Sequence, residues 1–392
     1  MDTCALAQKG LKNMSNMEKR DPYRSLVKIM LVLLVLLVLL GSGYLLLNSL
    51  QKGERAKAQQ RIDEENAQMV NDYQKAVSEL KKQIELKKET AGLPEPKASG
   101  WDIIDASEFP VESGRSVTTT RLDALSGGLL LLNRWHELPA DFGLAEQTLK
   151  SVGEVTKFKV PVKDRTVSLF PKAIDALQSF VNAAKDDGLE YYIIRQGYRS
   201  MATQTDYWNK ELARHPNREG EGLVAAARQR VSYPGTSDYQ SGFSFEVGVY
   251  SRDDSVINAA AFQSTDQAKY LNENGWKYGI VFRFPAQGYP SDETVDKSYV
   301  TGLSSKIKMD AYRYVGVPHA AVMNHLGFCL EEYIDYLVAH PHIMVYQDGV
   351  LKYEIYRIPE TGAEQTHDIP LNATDFFVSS DNIGGLVCAI SY

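Results

Sequence analysis

Aliphatic residues concentrate near the start of the chain and then give way to shorter, patterned runs. Between 29 and 50 no residue is charged, and 29–40 is unbroken in Ile, Leu, Val and Met. Those 22 residues, wound as a helix, would extend roughly 33 Å, about the thickness of a bilayer's hydrocarbon core. Gly41-Ser42-Gly43 resembles the small residues of a signal-peptide cleavage site. The apolar core of a signal peptide, however, is only about 7–15 residues long, and Tyr44-Leu45-Leu46-Leu47 carries this run further. The pattern predicts an uncleaved membrane helix over 29–50.

From 52 to 90 the texture is polar, rich in Lys, Glu, Gln and Ala, with no Gly or Pro after Gly53. Ile62, Met69, Tyr73, Val77, Leu80 and Ile84 recur near helical spacing, which predicts a solvated helix. A lone stalk and a stalk that pairs two copies as a homodimer both fit, because strong heptad core residues are few. Gly92, Pro94, Pro96 and Gly100 end it, so 51–100 reads as stalk and linker.

Beyond Trp101 short β-like runs (129–132, 158–162, 191–194, 279–284) alternate with helical stretches (171–186, 201–214, 259–274, 322–339). The end is strand-rich, with runs at 342–346, 351–358, 376–379 and 385–390. Irregular interleaving of this kind predicts an α+β domain over 101–392 rather than a doubly wound one. Tyr191, Tyr192, Trp276, Tyr278 and Phe282 read as core. Gly220-Glu221-Gly222 reads as a surface loop, and there is neither an internal repeat nor a Gly-rich phosphate loop.

Charge orients this layout. Residues 1–28 carry a net +3 and basic residues do not resume until Lys52, which places 1–28 in the cytoplasm and 101–392 outside the cell membrane. The part from Trp101 onward sums to −11. An acidic domain without a basic stripe excludes nucleic acid as a partner, since that binding depends on neutralising phosphates. Cys4 falls on the cytoplasmic side; Cys329 and Cys388 are compatible with one disulfide or with two buried thiols.

Four ordered blocks carry the chemistry. They are Gly197-Tyr198-Arg199-Ser200 with Gln204 and Tyr207; the stretch from Tyr233-Pro234-Gly235-Thr236-Ser237-Asp238-Tyr239 to Glu246; Trp276-Lys277-Tyr278-Gly279 through Phe284-Pro285; and Tyr312-Arg313-Tyr314-Val315-Gly316 followed by Pro318-His319. Together with Leu132-Asn133-Arg134 and Leu138-Pro139 upstream, they resemble the zinc D-alanyl-D-alanine carboxypeptidases of the VanY type. The resemblance runs from about residue 125 to the end of the chain. It implies a small antiparallel sheet flanked by helices, and a substrate class of peptidoglycan stem peptides.

The same resemblance implies a zinc ion held by a His, an Asp and a second His, with a Glu as general base. Three protein ligands leave one position for a water that the metal acidifies and the carboxylate deprotonates. At the matching positions this chain has Tyr239, Glu246 and Ala311 as ligands and Lys308 as base. Alanine has no donor atom, a phenol titrating near 10 is a poor zinc ligand, and a charged lysine cannot take a proton. Asp238, Glu246 and Asp310 would instead offer an oxygen-only set to a harder cation. His215, His319 and His325 stand outside the ligand positions. Neither zinc nor a catalytic residue is therefore expected.

Arg199, Gln204 and Ser237 match the residues that, in the family, hold the terminal D-alanine. A guanidinium fork can grip a carboxylate with two hydrogen bonds; the competing role for Arg199 is an ion pair with Glu246. Lys308, turned inward, would replace the zinc charge by pairing with Glu246, because an unpaired carboxylate in an apolar pocket is costly. The reading is a membrane-anchored binder of stem peptides, or a partner of an envelope protein, without hydrolytic activity. An active metallo-carboxypeptidase and a purely structural envelope component are the alternatives.

Overall fold

The structure, a computed structural model, describes residues 22–88, 93–303 and 308–392. It divides into two compact units, one up to Gly92 and one from Leu93 to Tyr392. In the first, a single helix runs from Pro22 to Lys88. The tail expected at 1–28 and parts of the expected span at 29–50 fall on residues, or on side chains (22–29, 32, 44–50), outside those described. Among the described residues no helix is long and apolar enough to cross a membrane. Met30, Leu31 and the aliphatic residues from Leu33 to Leu40 are exposed.

The second unit holds two main antiparallel sheets and two small two-stranded ones, Arg115–Thr119 with Gln365–Ile369 and Lys150–Ser151 with Ser168–Leu169. The four-stranded one runs Tyr192–Gln196, Ser244–Val249, Ala311–Tyr314, Ile280–Phe282. Alternation explains its two faces. Phe245, Val247 and Val249 are buried in one cluster with Ile174, Leu177 and Phe180 of the helix Pro171–Asp186. That helix starts with Pro171, whose missing N–H is harmless in a first turn. Glu246 and its neighbours face the other way.

The five-stranded sheet runs Trp101–Asp105, His342–Gln347, Val350–Pro359, Gly385–Ser391, Asp375–Ser380. Ile343, Val345, Ile355, Val387 and Ala389 pack with Tyr333, Ile334 and Leu337 of the helix Leu330–Ala339. The first strand of this unit thus pairs with a strand some 240 positions later, Trp101 opposite Gln347. A mixed α and β architecture with antiparallel sheets is as expected, although there are two main sheets rather than one small one.

Several local expectations need correction. Residues 129–132 are buried but unpaired as a strand; Leu131 donates only to the Asp381 carbonyl and the run threads between the two sheets' clusters. Residues 158–162 form only a bridge, Val162 to Ile194, because Lys157 and Phe158 take positive φ. The stretch 322–339 is two helices, Val317–Leu326 and Leu330–Ala339, separated at Gly327 with φ 66°. The loop expected at 220–222 is the start of the helix Gly220–Arg228. Tyr191 is half exposed with φ 74°, unlike Tyr192 and Phe282, which are buried. Cys329 and Cys388 are free and buried, so no disulfide joins them.

Candidate functional site

The site is built by register. Gln196 stands opposite Glu246, and Glu246 opposite Ala311; directly opposed residues share a sheet face. Three strands therefore present Gln196, Glu246 and Ala311 side by side. Over Ala311 pack Tyr239, Phe284 and Leu303. Tyr239 comes from a short 3-10 turn, Asp238–Ser241, ended by Gly242 at φ 77°. A Cβ on Gly242 would come within 2.7 Å of Phe170, so that turn is compatible only with glycine.

Arg199 reaches the same spot from the loop before the helix Met201–Ala213. Its backbone N–H donates to the Tyr239 carbonyl at 3.1 Å. Its guanidinium donates to Gln196 at 2.5 Å, to Gln204 at 3.3 Å and to Glu246 at 3.5 Å, while Nε has no partner. The guanidinium carbon lies 4.0 Å from the centre of the Tyr239 ring and 4.7 Å from that of Tyr207, distances at which a cation is attracted to a ring face.

Lys308 completes the cluster, with Nζ 2.9 Å from Glu246 Oε1 and 5.2 Å from the Tyr239 ring centre. Burial opposes ionisation of Glu246, but Lys308 and then Arg199 outweigh it and hold the carboxyl below its ordinary range. Tyr239 behaves in the opposite way: burial, and then the Glu246 charge, push its phenol well above the usual value. Asp310, nearby, is pushed up by burial and by Glu246.

These side chains do not fit a zinc ion. Ala311 has no donor, Tyr239 is held protonated, and Glu246 is already engaged by two cations. The oxygen-only alternative fails at Asp238, which accepts from Ser244 Oγ and Arg313 and lies 3.0 Å from Arg283 Nε. Burial opposes the Asp238 charge, yet Arg283 and Arg313 hold its carboxyl low. Among the described residues no group of His, Cys, Asp and Glu is placed to hold a metal. His215 pairs with Glu211 at 3.2 Å, and His319 is buried against the Tyr333 hydroxyl at 2.7 Å, its imidazole kept neutral by burial with a pKa of about 3.

Of the three residues expected to hold substrate, Arg199 and Ser237 line a hollow of about 100 Å³ together with Tyr207, Arg230, Tyr239 and Lys308. Gln204 does not line it. It is fully buried, accepting from Arg199 and donating to the Ser232 carbonyl at 2.7 Å, and so positions the guanidinium. The fixed core behind the site went unseen in the sequence: Arg283 forks onto Glu331 at 2.7 and 2.9 Å, and Arg313 bridges Asp238 to the Gly128 and Leu130 carbonyls. The only signal was an arginine between aromatics in Phe282-Arg283-Phe284 and Tyr312-Arg313-Tyr314.

Residues 166–298 match the family model VanY, D-alanyl-D-alanine carboxypeptidase. A D-alanyl-D-alanine carboxypeptidase of Enterococcus faecium is 27% identical over 285 residues, covering 71% of this chain and 80% of the relative. The bifunctional D-Ala-D-Ala dipeptidase and carboxypeptidase VanXYC of Enterococcus gallinarum is 30% identical over 178 residues, covering 45% of this chain and 83% of the relative. Among solved structures, the vancomycin resistance D,D-dipeptidase VanXYg, in complex with a D-Ala-D-Ala phosphinate analog, aligns with a TM-score of 0.53 at 22% identity. That alignment covers 71% of this chain and 99% of that chain, and at this identity it speaks for the fold alone.

Proposed function

Because the chain belongs to the VanY D-alanyl-D-alanine carboxypeptidase family, we propose that it is a membrane-anchored, extracytoplasmic binder of D-alanine-terminated peptidoglycan stem peptides that does not hydrolyse them. One observation carries the reading: the Lys308 ammonium sits 2.9 Å from Glu246, among the positions where the family places its metal and base. A lysine there supplies positive charge without opening a coordination position for water.

Binding is supported by Arg199, which lines the hollow with Nε unpartnered. A ligand carboxylate meeting that guanidinium would gain charge-assisted hydrogen bonds in a partly water-excluded site. Anchoring is supported by the uncharged stretch at 29–50 and the basic residues before it. The helix through to Lys88 would serve as the stalk, alone or paired with a second copy.

Calorimetry with a peptide ending in D-Ala-D-Ala, alongside an assay for released D-alanine and zinc analysis, tests the proposal. Binding that is lost in Arg199→Ala, with no release of D-alanine, is the expected result. Stoichiometric zinc with turnover abolished by Glu246→Ala would overturn it.

A further inference from the structure

Beside the hollow at Arg199 lies a second one of about 110 Å³, and the two share Ser232, Asp238, Phe284 and Leu303 as a common wall. Its cations are Arg134 and Arg228, both solvent-exposed and, among the described residues, in no ion pair. Arg134 is braced on two sides. Its guanidinium carbon lies 5.0 Å from the centre of the Trp135 ring, and its stem packs so closely on Gly302 that a Cβ there would be 2.8 Å from Arg134 Cδ. A stacked guanidinium keeps its N–H edge free for a ligand.

The acidic groups facing this space are few. Glu137 lines the second hollow, and Asp238 is committed to Arg283, Arg313 and Ser244. In the adjoining hollow Lys308 and Arg199 face Glu246, and Arg230 lies 3.5 Å from Glu211. Five cationic side chains thus line a cleft in a region whose net charge is −11. Such a concentration against the general sign selects an anionic ligand.

We propose that the cleft takes a peptide with two carboxylates, its C-terminal one at Arg199 and an internal one at Arg134 and Arg228. The inference rests on the binding function proposed above and adds the identity of the ligand's second anchor. Guanidinium pairs favour the flat, two-oxygen geometry of a carboxylate and lose most of that interaction with an amide, which is uncharged.

Two synthetic peptides ending in D-Ala-D-Ala, differing only in whether one internal carboxyl is free or amidated, are titrated into the full chain. The free form is expected to bind about tenfold more tightly. In the double variant R134Q/R228Q that preference disappears, the free form falling to about the affinity of the amidated one, and an unaltered melting curve confirms that the variant is folded. Equal binding of both peptides by the wild type overturns the second anchor and leaves the binding function standing. Binding of neither peptide overturns the binding function and the second anchor with it.

Discussion

Lys308 and Glu246 form an ion pair at 2.9 Å, and each is about four-fifths buried, with 19% and 17% of its side chain exposed. The pair joins the strand Ser244–Val249 to the segment that leads into Ala311–Tyr314. Removing one partner leaves the other charge desolvated, which costs more than the intact pair contributes. Glu246→Gln and Lys308→Met are each expected to destabilise the domain by about 1–3 kcal/mol, after allowance for residual solvent screening. The double variant is expected to recover about half of the summed loss, and denaturant titration of the four proteins as a cycle measures this coupling.

Asp238→Asn is expected to be more damaging. Asp238 is almost fully buried between Arg283 and Arg313, and the substitution leaves Arg283 with Glu331 as its one carboxylate and Arg313 with only the Gly128 and Leu130 carbonyls. Breaking a buried network of this kind costs about 3–5 kcal/mol. Calorimetry should show a melting temperature lower by roughly 6–20 °C for a domain of this size, and a loss under 2 °C would show that the network is dispensable.

His342 gives the five-stranded sheet a pH dependence. It lies 2.8 Å from the Phe109 carbonyl and 2.7 Å from Glu354. Burial disfavours the imidazolium, but the bond to Glu354 and then the bond to the Phe109 carbonyl outweigh it and raise the pKa above its ordinary value. A raised imidazole pKa contributes stability that is fully present below about pH 6.5 and is lost as pH rises through the folded value. Unfolding free energy is expected to fall across that window, and His342→Gln should flatten this part of the profile.

Glu246 stands opposite Ala311, and by the resemblance to the VanY-type enzymes both are positions where that family carries metal ligands. The combined variant Y239H/E246D/A311H/K308E places two imidazoles and a carboxylate, with a glutamate beside them, at the positions the resemblance assigns to the ligands and the base. It is expected to copurify with about one zinc per chain, measured by elemental analysis, and the wild type, on the function proposed above, with none.

How much of this was readable beforehand depended on range. Local signals served well: the helix Pro171–Asp186 follows directly from its apolar stripe and its leading proline. The inward turn of Lys308 toward Glu246 follows from the cost of a lone buried carboxylate. The strands Ser244–Val249 and Ala311–Tyr314 were not legible. Each mixes a buried apolar face with Ser, Glu, Gly or Arg on the other, so alternation marks the site face as if it were solvent. The Asp238 network was hidden for a different reason. Its members lie 45 and 75 positions away from Asp238 at Arg283 and Arg313, and only sheet register brings them together. The 129–132 run misled because a buried coil has the same apolar content as a strand.

A metal-dependent site ties the folded state to the supply of the ion. Here the positive charge is attached covalently, on the side chain of Lys308. It cannot be chelated, outcompeted by another cation, or diluted away in a metal-poor surrounding. On the extracytoplasmic placement proposed above, where ion availability would be beyond the cell's control, the domain would keep the same charge at Glu246 from synthesis to degradation.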